Sequence, residues 1–513
     1  MRRRGLLFLA LLLAGCRPEP PSPTPSAPAP TLRLLLGVDV ASLDPQVPFD
    51  DVSSLVLDNV FESLVRLDSS FRLSSGLARR WINPDDRTWR FFLDTEARFS
   101  DGTPLRASDV RFSIERLRTL QGSKMQGLAH IIAGVEVVDD ATVDIHTESP
   151  IAILNSLVFI PIMSERAVRA AGERIAERPL GTGPYKVTHW DKGRSVVLEA
   201  NEHRRPLPAV RRAEFLFRPG GDMVEAVLRE RADMTLFLPW ARAQEIEAKK
   251  PAGLRVLGVP GINVFYLTFN VRPRIPGSPR PNPLRDPRVR RALSLAIDSE
   301  ALVRGALGGF GKPANQLVVP QVFGYDPAAP RLRQDAAEAR RLLAEAGQQS
   351  LEVSVVGFEG GARRTDALLL EQWRAIGVRG RLDALPYAEL DRRLEAGEFD
   401  AAIQGYGCTT ADASEILSFV LHTRDTAMGY GAGNTAGYGN AEVDRIARDN
   451  LRVFDPRTRL ALLQQALRLA TEDRVYLPLF SADRVFVLAD RVRWTPPASG
   501  QVLLSDLSVA APE

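Results

Sequence analysis

Between residues 286 and 403 the chain alternates short helices with short strands, and each helix carries a start signal, a stop signal or both. Asp286-Pro287 sets an N-cap acid and a proline at the first turn of a helix whose apolar face is Val289, Leu293, Ala296 and Ile297. Asp335 and Glu338 have the spacing of a capping box, and Gly347 ends that helix. Residues 351–356 read as a strand, 365–376 as a helix closed by Gly377, and 378–385 as a strand. A helix over 387–396 closed by Gly397 and a strand over 399–403 follow. Such alternation predicts a sheet covered by helices, an α/β fold. At 513 residues the chain is too long for one core, so two or three lobes are expected.

The rest of the chain mixes the two periods. Residues 31–40 read as a first strand ended by Ser42-Leu43-Asp44-Pro45. The spacing of Leu55, Val56, Val60 and Leu64 predicts a helix over 50–64. Residues 81–86 read as a hairpin-like turn, 88–93 as a strand, and 99–105 as a tight turn that needs the backbone freedom of Asp101-Gly102. A helix over 108–120 buries Val110, Ile114 and Leu117, and a hairpin over 135–145 turns at Asp139-Asp140. Gly181-Thr182-Gly183-Pro184-Tyr185 reads either as a plain loop or as a hinge or lobe crossover. Strands are expected at 196–199, 213–217 and 263–270, and a helix at 222–229. The Pro- and Gly-rich loop 272–283 marks a lobe boundary. Helices at 441–454 and 456–472 and an apolar, β-like end at 475–487 complete the reading.

The first residues carry an address. Met1-Arg2-Arg3-Arg4 is a positive leader, and the apolar run 6–14 is too short to span a bilayer as a helix. Together they read as an export signal. Leu13-Ala14-Gly15-Cys16 resembles the bacterial lipoprotein box, in which the cysteine is acylated and becomes the mature N-terminus. Residues 17–30, rich in Pro, Ser and Ala, cannot build a core and form a polyproline-like tether of about 40 Å. The expected location is outside the cytoplasm, lipid-anchored to the cell membrane.

Chemistry is narrowed by what the motifs lack. The net charge of +3 is small for this length and calls for no nucleic acid. The five histidines, His130, His146, His189, His203 and His422, are not at metal-ligand spacing, and no H-E-x-x-H or G-x-S-x-G occurs. Gly309-Phe310-Gly311-Lys312-Pro313 mimics a phosphate loop, but Pro313 replaces the hydroxyl that would hold magnesium. No cofactor and no metal are expected. A secreted hydrolase using two distant acids leaves no spacing to find and stays as the alternative.

The stretch 401–417 draws attention instead. A strand opens into Gly405-Tyr406-Gly407 and then Cys408-Thr409-Thr410-Ala411-Asp412. Polar, Gly-rich loops at strand ends are where α/β proteins place ligand groups. The same residue types also build an ordinary β-to-α turn capped by Asp412. Cys408, with no local activating His, reads as a small buried thiol rather than a nucleophile.

Several stretches in order resemble the oligopeptide/dipeptide class, family 5, of extracytoplasmic solute-binding proteins that serve ABC importers. They are Ser42-Leu43-Asp44-Pro45, residues 59–64, Leu77-Ala78 through Trp81, residues 99–105, Ser108-Asp109-Val110, Gly181 through Tyr185, residues 286–293 and residues 336–347. The resemblance implies a bilobed periplasmic-binding-protein fold of type II with an extra inserted domain and a hinge. Lobe I would comprise 31–66, 181–266 and 481–513, the inserted lobe II 67–180, and lobe III 267–480. It implies a monomer that captures a peptide or other small polar solute between lobes and delivers it to an ABC permease without turning it over. In the family the focal loop reads Gly-Trp-x-x-Asp-x-x-Asp-Pro, and the first acid pairs with a peptide's amino terminus. Tyr406 stands for the Trp, Thr409 for that first acid and Asp412 for the second. A hydroxyl in place of the acid suits a neutral polar ligand better than a charged ammonium, so an oligosaccharide or another uncharged solute competes with a peptide. Ser42, Asn263, Phe358, Tyr406, Cys408, Thr409 and Asp412 are the expected cleft residues, from lobes I and III.

Overall fold

The computed structural model describes residues 31–510 apart from 49, 69, 70, 149, 151, 152, 219–222, 231, 237, 360–362 and 498–500. The export signal, Cys16 and the tether lie outside the described residues. Among the described residues eleven strands join in one mixed sheet. They are β1 (Thr31–Leu36), β2 (Tyr185–Asp191), β3 (Ser195–Ala200), β4 (Arg212–Phe217), β5 (Met234–Thr235), β6 (Leu254–Phe269), β7 (Gly311–Pro313), β8 (Glu352–Phe358), β9 (Arg379–Leu385), β10 (Ala401–Gly407) and β11 (Tyr476–Ala489). Their order is β9-β8-β10-β6-β11-β5-β1-β4-β3-β2, with β7 paired to β11.

The two ends of this sheet serve different cores. At one end β1 runs parallel to both β4 and β5, so it is covered on both faces. Its Leu32, Leu34 and Leu36 join Phe215, Phe217, Phe486 and Trp494 in the first core. At the other end β8 runs parallel to β9 and β10. Helices Pro287–Leu295, Ala336–Glu345 and Arg363–Ala375 contribute Leu293, Leu342 and Trp373 to one core of this half. Helices Ala441–Asp449 and Pro456–Glu472 contribute Ile446 and Leu463 to another. Asp286 caps its helix as the sequence indicates, accepting Arg288 N–H, and Asp455 likewise accepts Thr458 N–H; Asp335 accepts Glu338 N–H, but the box stays half-formed because Glu338 turns to Arg341 and Asp335 N–H goes to Leu295 O.

Among the described residues only β6 and β11, sixteen and fourteen residues long, run through both halves. They pair antiparallel, but the register slips between Pro260 and Val264. Before the slip β6 lies against residues 483–489, and after it against residues 476–481. A bulge bends and twists a strand pair locally, so the two halves meet at this irregularity. The sequence suggested only the second half of β6. Gly258, Pro260 and Gly261 read as loop residues, yet the long β11 partner holds them in the sheet.

A fourth core belongs to a separate four-stranded antiparallel sheet, ordered Ala78–Asp85, Thr88–Leu93, Thr142–Thr147, Ile132–Asp139. The helix Ala107–Thr119 covers it with Val110, Ile114 and Leu117. Residues 81–85 are therefore strand, not turn; the reversal falls at 86–87. The turn over 99–105 forms as expected, with Gly102 at φ +84° facing the His203 ring, where a side chain is strained. The chain enters and leaves this unit side by side: Gly183 N–H donates to Val60 O at 2.9 Å and Tyr185 N–H to Asn59 O at 3.0 Å. A Cβ at Gly183 would stand 2.7 Å from those carbonyl oxygens, so glycine permits the approach. This pairing also cuts the first helix to Asp51–Leu57. Val60 and Leu64 are buried as expected, but beyond the helix: Val60 sits in the turn that ends it and its carbonyl serves the crossover, while Leu64 O accepts Gly76 and Ala78 N–H.

Arg116 fastens the inserted unit to the first half. Its guanidinium donates to Asp44 Oδ2 at 2.5 Å and Gln46 Oε1 at 2.8 Å, both buried. The Ser42 turn thus positions Asp44: Ser42 Oγ accepts from Asp44 N–H at 3.0 Å.

Candidate functional site

A cavity of about 1230 Å³ lies between the inserted unit and the α/β half. Leu67, Phe71, Trp89, Leu128, Ile131 and Leu154 wall it on the inserted side; Phe323, Tyr325, Tyr406, Phe419, Phe454 and Leu460 wall it on the other. The expected cleft between lobes I and III is not where this cavity sits, because the inserted unit leans over the 408–412 loop. Asn155 Nδ2 donates to Thr410 O at 2.9 Å, and the Trp89 and Phe454 rings stand 6.4 Å apart across the gap.

The loop that β10 delivers is pinned from three sides. Phe323 N–H donates to Ala411 O at 2.8 Å and Ala413 N–H to Phe323 O at 2.9 Å. These bonds hold Ala411 at φ +57°, an uncommon conformation for a residue with a Cβ. Asp412, buried, accepts Ser414 N–H at 2.9 Å and takes a two-pronged ion pair from Arg459, at 2.5 and 2.8 Å. Arg459 comes from the first turn of the helix Pro456–Glu472, so that cap and that pair fix one wall together.

Tyr406, Thr409 and Asp412 line the cavity. The Tyr406 ring stacks on Phe419, centroids 5.5 Å apart. Cys408 points into the core behind the loop, where burial pushes its thiol up. Asn263, exposed on β6, pairs with Gly407 at the end of β10, beside the loop but off the cavity wall. Phe358 is 44% exposed at the end of β8 and meets only the edge of Tyr387 among the aromatic rings. Ser42 stays in the first half with Asp44. The structure thus brings three of the seven expected residues to one surface.

Glu415 is the group the sequence reading passed over. Its carboxylate lines the cavity and accepts the Tyr406 hydroxyl at 2.9 Å, Thr410 N–H at 2.9 Å and the Thr410 hydroxyl at 2.6 Å, with Thr409 Oγ1 at 3.4 Å. Burial, and next the Glu415 charge, push the Tyr406 phenol up, so it stays a donor. The signal was present: Asp412 and Glu415 have capping-box spacing, which sends the second acid back toward the preceding backbone. Among the described residues no group of three or more His, Cys, Asp or Glu could hold a metal ion.

A family model described as bacterial extracellular solute-binding proteins, family 5 middle, matches residues 72–428. The glutathione-binding protein GsiB of Salmonella typhimurium is 26% identical over 460 residues, spanning 86% of this chain and 87% of that protein. The probable D,D-dipeptide-binding periplasmic protein DdpA of Escherichia coli is 24% identical over 472 residues, 89% of each chain. Among solved structures, the ABC transporter substrate-binding protein CtaP of Listeria monocytogenes superposes with a TM-score of 0.82 at 22% identity, over 94% of this chain and 99% of that one.

Proposed function

The chain belongs to the bacterial extracellular solute-binding proteins of family 5, and on that premise we propose that it is a lipid-anchored receptor that presents a short peptide to an ABC importer. Acylated Cys16 would hold it to the membrane, and residues 17–30 would keep the folded part off the surface. Lobe I would be 31–66, 181–266 and 481–513, lobe II 67–180, and lobe III 267–480. The observation that carries the reading is the large cavity between two units, each with a core of its own and joined by Phe71 of the inserted unit in the core of the other, with the 408–412 loop on its wall. Tyr406 and Thr409 would touch the solute and Asp412 would hold the loop through Arg459. Ser42, Asn263, Phe358 and Cys408 would serve the frame. The names of the relatives GsiB and DdpA, one binding glutathione and one D,D-dipeptides, support peptide-like solutes over sugars.

The test is thermal shift of the full chain in detergent against mixed short peptides and oligosaccharides, with the solute recovered and weighed by mass spectrometry. A ligand at about a hundred times its Kd raises stability by about 2.7 kcal/mol. A peptide response with intact solute is expected; a cleaved solute would mean a hydrolase. For the anchor, fatty-acid labelling should disappear in Cys16→Ser, and labelling that persists would refute acylation at that residue.

A further inference from the structure

The charges on the cavity wall are answered from within the protein. Two cations and two anions line it, Arg72, Arg459, Asp412 and Glu415. Arg459 is spent on the buried Asp412. Arg72 turns to Asp68 at 3.1 Å, with 78% of its side chain in solvent. Glu415 turns back to Tyr406, Thr409 and Thr410. Asn155 is spent on the Thr410 carbonyl. Of the wall's polar side chains this leaves the hydroxyls of Ser156, Tyr325, Ser414 and Ser418, and Gln321. The side-chain oxygen of Gln321 is buried with no hydrogen-bond partner in the protein. A buried acceptor without a donor is costly, so an N–H brought in by the solute fits there. The remaining wall is aliphatic and aromatic on both sides, and Phe419 and Phe454 on it are left 43% and 45% exposed. Large apolar side chains left open mark a surface that a partner covers. The 1230 Å³ they help enclose exceeds the roughly 300–1,000 Å³ of sites for drug-sized molecules, so several large side chains fit at once.

We infer that this wall selects among peptides by large apolar side chains. The solute is a short peptide rich in residues such as Leu and Phe. Its side chains lie against Phe419, Phe454 and the aliphatic wall, and one of its backbone N–H groups donates to Gln321. The inference rests on the reading above that the cavity holds a peptide, and it narrows the peptide class. A polar side chain entering the cavity gives up water for a wall with few hydrogen bonds to return. A charged one meets no counter-charge that is not already paired.

Three tripeptides with the same free ends separate the cases: Leu-Phe-Leu, Ser-Asn-Ser and Lys-Lys-Lys. They are titrated by calorimetry against the full chain in lipid nanodiscs, because a detergent tail would compete for an apolar wall. Leu-Phe-Leu should bind about a hundredfold or more tighter than Ser-Asn-Ser, at about tenfold for each apolar side chain buried. Lys-Lys-Lys should bind no better than Ser-Asn-Ser. Phe419→Ser and Phe454→Ser should each weaken Leu-Phe-Leu about tenfold and leave Ser-Asn-Ser unchanged. Methylating both backbone amide nitrogens of Leu-Phe-Leu should cost about two- to tenfold, the range of one net hydrogen bond, and that cost should vanish in Gln321→Ala. Polar or cationic tripeptides that bind as tightly as Leu-Phe-Leu would overturn the inference and leave the receptor reading standing. So would an apolar preference that both serine variants retain in full. A methylation cost that persists in Gln321→Ala would overturn the contact with Gln321. Silence of all three tripeptides would sink the peptide-receptor reading itself. If a variant does not fold, the order of the three tripeptides on the unaltered chain decides.

Discussion

Arg459 and Asp412 have side-chain exposures of 11% and 7%, and their ion pair has little water to fall back on. Removing one partner of such a pair leaves a buried charge, which costs about 3–5 kcal/mol, whereas replacing both by apolar groups is often neutral. Arg459→Met alone should therefore lower the thermal midpoint sharply. The double change Arg459→Met with Asp412→Leu should recover most of the loss, and a double-mutant cycle on thermal midpoints measures it. Additive losses would mean the two side chains do not support each other. At this scale the sequence reading was uneven for a physical reason. Asp412 is visible as a turn-forming acid because its backbone partner is local. Arg459 lies 47 residues away and meets Asp412 only through packing. Glu415 stands three residues after Asp412, but its carboxylate turns back to Tyr406 and Thr410, partners that its spacing from Asp412 does not name.

Elements with local causes were readable, and those with distant causes were not. The helices over Pro287–Leu295, Ala336–Glu345 and Tyr387–Ala396 carry a cap or a stop within a few residues (Asp286, Asp335, Gly397), and they form within two residues of where the pattern puts them. The first half of β6 has a sequence that argues against a strand and is one because β11 pairs with it. The same pairing makes Gly261 sensitive. A Cβ there would stand 2.5 Å from the carbonyl oxygen of Ala482, a backbone atom that cannot swing away. Gly261→Ala should cost about 1–3 kcal/mol through overpacking. Gly134→Ala, where nothing lies within 4 Å, supplies the control in a strand with no such contact. The two are compared by thermal melt, and equal losses would show that the slip between Pro260 and Val264 can absorb a side chain.

For the whole molecule, length and the helix-strand alternation announce several cores, and the structure has them. The address of the cavity was not legible, since it depends on how a unit inserted after the first helix is tilted. Arg116 ties that unit to the first half through Asp44 and Gln46, while Asn155 reaches the far half through Thr410 O. The inserted unit is thus bonded to both halves that β6 and β11 connect. A solute in the cavity touches both walls, so it adds to whatever the Asn155 bond contributes to holding them together. If that bond persists with solute bound, Asn155→Ala removes about 0.5–1.5 kcal/mol of net hydrogen-bond energy and one of several polar side chains on the cavity wall. Solute should then leave about two- to tenfold faster, with the preference between short peptides and oligosaccharides unchanged. Stopped-flow dissociation reads the first and calorimetry the second. A changed preference would place Asn155 at the solute itself, and an unchanged dissociation rate would mean that the walls separate at this point when the site fills.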